Sequence, residues 1–337
     1  MTPQGFEEYI DGLVTNGLNH LSTMIWGPPG IGKSSIVAQV ARRHGLDLID
    51  LRLGQLAPTD LRGLPVPVPE DGVATWYPPA FLPHESRGIL FMDELNMAAP
   101  VMQGIAQQLI LDRRVGSYVV PDGWFVWAAG NRKEDQASVY EMPAPLRNRF
   151  VHLTVEADYA SWQQYAARTG LHEQIQAFLA FRSDLLFQFS TGATAFPTPR
   201  SWETASELHA AGLDIGKAVG EGAAGEFYAY LDVYDLIPDV DRILAGWGEA
   251  FSFPEEPSVR YAVIMGLATR AETADQAFEG IQWCTGNASD EFMQLLFAVL
   301  IPNLQSKGQN GAFLRKYGAD PAVQRFLRSM SRVNLSL

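Results

Sequence analysis

An α/β fold, a parallel sheet between helices followed by an all-helical region, is predicted by three features of this 337-residue sequence. Short apolar runs at Ser22–Trp26, Gly88–Met92 and Trp124–Gly130 read as buried strands. The first is followed at once by a glycine-rich loop and then by helical spacing. From about residue 156 onward the β-rich runs stop and apolar spacing turns helical.

Taken in order, the first element is the strand "STMIW" with the loop that follows it. Gly27, Pro28, Pro29, Gly30, Ile31, Gly32, Lys33 and Ser34 fit G-x-x-x-x-G-K-[ST], and "SSIVAQVARRHG", opening at Ser34 and Ser35, continues as a helix stopped at Gly45. Such a loop turns backbone N–H groups onto phosphates at the positive end of a helix dipole. Lys33 is expected to neutralise phosphate charge and the Ser34 hydroxyl to ligate Mg²⁺. A plain turn has no need of the lysine.

The second strand, "GILFMDELN", ends in Asp93 and Glu94 about sixty residues after Lys33. This is a Walker B pattern, with Asp93 holding Mg²⁺ through water and Glu94 orienting and deprotonating an attacking water. A third strand, "WFVWAAGN", ends in Asn131, placed to reach the γ-phosphate or that water as a sensor 1 residue. In "MPAPLRNRF", prolines 143 and 145 open a short helix carrying Arg147 and Arg149. Arg149, with Arg147 in reserve, is expected to reach a neighbouring subunit's γ-phosphate. In "FPTPRSWETASEL", Arg200 begins a helix after two prolines and suits a sensor 2 role.

In this order these motifs resemble an AAA+ ATPase, over about residues 1–215 and most specifically from Gly27 to Phe150. "LGQLAPTDLRGLP" at Leu53–Pro65, "MDELNMAAPVMQGIAQQLILDRRVGSY" at Met92–Tyr118 and "AAGNRKED" are most similar to MoxR-like ATPases of bacteria and their phages. The resemblance implies a P-loop αβα core at residues 1–155, a helical lid at 156–255 and a C-terminal helical extension at 256–337. It implies ATP and Mg²⁺ as cofactors and a homo-oligomeric ring, most simply a hexamer. It also implies a partner carrying a von Willebrand factor A domain and a protein client to be remodelled. A nucleotide-gated scaffold with slow hydrolysis uses the same pocket and remains the alternative.

The proline-rich stretch "PVPVPEDGVATWYPP" reads as a hairpin around Asp71 and Gly72. The resemblance points this hairpin toward a pore, with Trp76 and Tyr77 as contacts to a client; packing of those aromatics onto their own domain is the other reading. "LDRRVGSYVVPDGW" is expected to turn, and there Arg113 or Arg114 could approach the next subunit's nucleotide.

Composition excludes several classes. A net charge of −13 disfavours binding to nucleic acid or to anionic lipid, and no apolar run reaches the ~20 residues of a membrane span. With no leader pattern and a single cysteine, Cys284, read as a buried apolar residue, a cytoplasmic protein is expected. The six histidines are scattered without metal spacing, so no zinc site is expected.

Overall fold

The computed structural model describes residues 1–132, 140–190, 192–234 and 236–326. Lys133, Glu134 and Asp135, which close the stretch "AAGNRKED", lie outside the described residues. Contacts divide the chain into two compact units, Met1–Asp158 and Tyr159–Leu337.

In the first unit, helix α1 (Pro3–Thr15) is capped by the Thr2 hydroxyl, which accepts from the Gly5 N–H. Strand β1 (Thr23–Trp26) leads through the glycine loop to α2 (Lys33–Arg43). Then come β2 (Asp47–Arg52), the single-turn helix α3 (Pro58–Arg62), and a hairpin of β3 (Leu64–Val68) and β4 (Val73–Tyr77). Strand β5 (Gly88–Asp93), helix α4 (Pro100–Asp112), a second small hairpin of β6 (Arg114–Val115) and β7 (Tyr118–Val119), and β8 (Trp124–Gly130) follow. One-turn α5 (Ala144–Arg147) and β9 (Val151–Thr154) complete the unit.

The five-stranded sheet runs β2-β5-β8-β1-β9 and every pairing in it is parallel. Strands β5 and β8 are almost wholly buried, as continuous apolar runs require when helices cover both faces. This order sets the ends of β5 and β8 beside each other, with β8 next to β1 and the loop that follows it. Ligands of open α/β sheets sit at such carboxyl ends.

The edge strands β2 and β9 were not signalled by the sequence. β2 reads D-L-I-D-L-R, neither alternating nor continuously apolar, and β9 is four residues long, so tertiary pairing creates both.

The second unit is helical. α6 (Tyr159–Thr169), α7 (Glu173–Phe181), α8 (Pro199–Ala210), α9 (Gly216–Val219), α10 (Glu221–Tyr234), α11 (Val240–Arg242), α12 (Pro257–Arg270), α13 (Ala274–Cys284), α14 (Asp290–Ser306) and α15 (Asn310–Tyr317) succeed one another. They share one apolar core that runs from Trp162 to Phe326. Cys284 lies within it, and burial pushes its thiol up to about 12.

Candidate nucleotide-binding site

The loop takes a positive φ at Gly27, Gly30 and Gly32, which suits glycine. Gly32 is the left-handed N-cap of α2, with φ 94°, and a Cβ on Gly27 would lie 2.6 Å from the Val155 carbonyl oxygen. Because the cap has no side chain, the first N–H groups of α2 receive no side-chain hydrogen bond from it. They remain available to an anion.

Lys33, the first residue of α2, folds back over the loop and is only 8% exposed. Its ammonium donates to the carbonyls of Gly27 at 2.6 Å and Pro28 at 2.9 Å, and to Asn131 Oδ1 at 3.3 Å. A buried ammonium needs such partners. The Ser34 hydroxyl donates to Asp93 Oδ2 at 2.7 Å. Two oxygens on one edge of a Mg²⁺ octahedron of 2.0–2.1 Å radius stand about 3 Å apart. Ser34 and Asp93 therefore fit a magnesium ion that both would hold, directly or through water.

Glu94 has φ 57° and ψ 31°, a left-handed backbone that costs a non-glycine residue about 1–3 kcal/mol. Its N–H donates to Asp93 Oδ1 at 2.8 Å, and its carbonyl accepts from the N–H groups of Met97 and Ala98. The Glu94 carboxylate lies beside Gly54, in the turn after β2, 3.5 Å from where a Cβ would stand.

Asn131 is held by a residue that the sequence reading did not single out. Asn96, 3% exposed, donates through Nδ2 to the Asn131 carbonyl at 2.7 Å and accepts at Oδ1 from the Asn131 N–H at 3.2 Å. Gly130 must be glycine for this clasp, since a Cβ there would fall 2.3 Å from Asn96 Oδ1. The Asn131 amide in turn donates to Met97 Sδ, which aims its oxygen at Lys33. Asp50, on β2, is a third acid beside this cluster. Desolvation first, and then the charge of Asp93, hold its carboxyl above the usual range.

Lys33, Ser34, Asp93, Glu94 and Asn131 are thus brought together, joined by direct contacts or by adjacency in the chain. Arg147 and Arg149 are exposed on α5 and the turn after it, flanked by the buried Leu146 and Phe150. Arg200 is exposed at the second position of α8, in the helical unit, behind a reciprocal cap between Thr198 and Ser201.

Arg113 is otherwise engaged. Its guanidinium donates to the carbonyls of Asn19 at 2.9 Å, Trp124 at 2.7 Å and Pro121 at 3.4 Å within its own unit. That use as a structural clamp leaves Arg114, which is exposed, as the member of the pair with a guanidinium at the surface.

Residues 23–152 match the model of the family described as "ATPase family associated with various cellular activities (AAA)". Over that stretch the chain is similar to an AAA ATPase domain. The match begins at β1 and ends in β9, so it spans the sheet and every residue of the cluster above. Among solved structures the chain is similar to a candidate ATPase from Cytophaga hutchinsonii, at 15% identity and a TM-score of 0.36, covering 96% of this chain and 88% of that one. A point mutant of RuvB from Thermotoga maritima is matched at 15% identity and a TM-score of 0.39, over 85% of this chain and 84% of that one. NtrX from Brucella abortus, crystallised with ATP, is matched at 14% identity and 0.39, over 95% and 69%. These likenesses are distant.

Proposed function

We propose that this chain is a MoxR-like AAA+ ATPase that hydrolyses ATP at the subunit interfaces of a ring and so remodels or activates a partner protein. The observation that carries the reading is the 2.7 Å contact of Ser34 with Asp93, flanked by Lys33 on one side and the strained Glu94 on the other. The loop N–H groups and Lys33 bind the triphosphate, while Ser34 and Asp93 hold its Mg²⁺. The bound magnesium nucleotide supplies the phosphoanhydride to be cleaved and neutralises part of its charge. Glu94 takes a proton from the attacking water, which Asn131 helps to orient from the neighbouring strand.

Charge developing on the γ-phosphate is offset by a second cation, supplied by a neighbouring subunit. Arg149, with Arg147 beside it, is exposed and suits that role in a neighbouring subunit. Arg200 is the proposed sensor on the nucleotide from the helical unit. The hairpin of β3 and β4 has Leu64 and Tyr77 paired on one face, 62% and 60% exposed, a surface suited to a protein client. A partner with a von Willebrand factor A domain and a cytoplasmic location belong to the same proposal. Among the described residues no helix is long and apolar enough to cross a membrane.

The test is steady-state ATPase activity against protein concentration. Specific activity should climb as subunits assemble, Arg149→Ala should flatten that climb, and Glu94→Gln should still bind ATP while kcat falls about 10²- to 10⁴-fold. A flat curve for the unaltered protein would remove the interface from the account. Full activity in Glu94→Gln would instead favour a base other than Glu94.

A further inference from the structure

The turn that carries Arg147 and Arg149 is tied to the strand that feeds the phosphate loop through one histidine. Trp26, the last residue of β1 and the neighbour of Gly27, donates its indole N–H to His152 Nδ1 at 2.9 Å. An indole nitrogen can only donate, so Nδ1 is unprotonated and the proton of the neutral ring sits on Nε2. That nitrogen lies 2.7 Å from the Arg147 carbonyl oxygen, which can only accept. Both ends of the imidazole are therefore specified. The two rings also lie nearly parallel, with centroids 6.1 Å apart and planes 14° from one another, and Phe150 meets the imidazole edge-on.

The Arg147 carbonyl is where this matters. It is the last carbonyl of α5, a helix of four residues, too short to persist by its own hydrogen bonds. The Phe150 N–H reaches it only at 3.3 Å, so the bond from His152 is the shorter of the two. Leu146 and Phe150 anchor the turn to the core from below, and His152 fixes its far end. Arg147 and Arg149 project between those anchors.

We propose that His152 is a positioning residue: it holds the α5 turn so that the exposed arginines meet the neighbouring subunit's nucleotide. This rests on the subunit-interface ATPase proposed above. Through Trp26 the same imidazole links the arginine turn to the subunit's own phosphate loop.

The experiment is ATPase complementation between full-length variants. His152→Ala alone should lose about tenfold in kcat with KM for ATP within twofold, because its own phosphate loop is intact. Mixed with Glu94→Gln subunits, whose arginine turns are intact, it should regain activity above the sum of the two separate preparations. Arg149→Ala mixed with Glu94→Gln is the reference for an arginine acting in trans. If Arg149→Ala is complemented and His152→Ala is not, His152 acts on its own loop and the proposal is overturned. If neither is complemented, the interface reading falls and takes this proposal with it. His152→Gln, which can still donate to the carbonyl, should recover part of the lost kcat. Trp26→Phe keeps a ring against the imidazole and removes only the donor, so it should lose less than His152→Ala. Loss of nucleotide binding in either of these two would also count against a role through the arginines.

Discussion

At the scale of single residues the site divides by how each position announces itself. Lys33, Ser34, Asp93 and Glu94 stand at fixed offsets from glycines or at the end of an apolar run, and the proposed phosphate and magnesium chemistry calls for those types there. Asn96 has no such signal. It follows Glu94 by two residues in a short turn, and only the fold reveals that its amide clasps the backbone of Asn131. Asn96→Ala should therefore cost about 1–3 kcal/mol in stability, since it removes both hydrogen bonds to the half-buried Asn131 backbone. By loosening Asn131 it should also lower kcat by up to about 10²-fold, with smaller effect on nucleotide affinity. Thermal unfolding and steady-state kinetics on the same preparation check both. The role of His152 was equally invisible, because a histidine two residues past a phenylalanine predicts no partner; Trp26, 126 residues earlier, becomes one only when β1 and β9 pair.

Among the elements, the helices of the second unit carry a pH dependence of their own. His172 caps α7, its Nδ1 accepting from the Gln174 N–H, and its ring meets that of His209 on α8 with centroids 4.6 Å apart. His209 Nε2 bonds Gln174 Oε1 at 2.6 Å, and Phe227 closes the far side. Burial pulls both imidazoles below their ordinary value; for His209 the neighbouring His172 adds to this, whereas for His172 the Glu173 carboxylate opposes it. Below about pH 6.5 the unfolded chain then binds more protons than the folded one, so stability rises with pH through that window. The contribution is whole above pH 6.5 and is lost as pH falls. The melting temperature should drop between pH 7.5 and 5.5, and His209→Phe should shallow that slope. Glu173 itself is pushed up by burial but held below the usual carboxylate range by its pairing with Arg270, so it affects stability only at more acidic pH.

Over the whole molecule the helical unit behaves as a single packing problem. Trp202 on α8 is fully buried, donates its indole N–H to the Leu185 carbonyl at 2.8 Å, and packs on Phe178 of α7. Its core continues without a break into the helices beyond residue 256. Trp202→Ala should cost about 3–5 kcal/mol and destabilise helices α6 to α15 together. Circular dichroism during heating is the measurement; separate melting of α12 to α15 would contradict a common core.

What the sequence by itself determined was the chain of local rules: strand, glycine loop and helix at residues 22–45, the acids closing β5, the asparagine after β8, the hairpin at Gly72 and the change to helical spacing near residue 156. Each is written in neighbouring residues, because turn, cap and phosphate-binding chemistry act over a few positions. Tertiary structure alone decided the strand order that joins those ends, the edge strands β2 and β9, the clasp of Asn96 and the strut of His152. Their partners are distant in the chain, and a hydrogen bond between distant residues leaves no periodicity for a sequence to display.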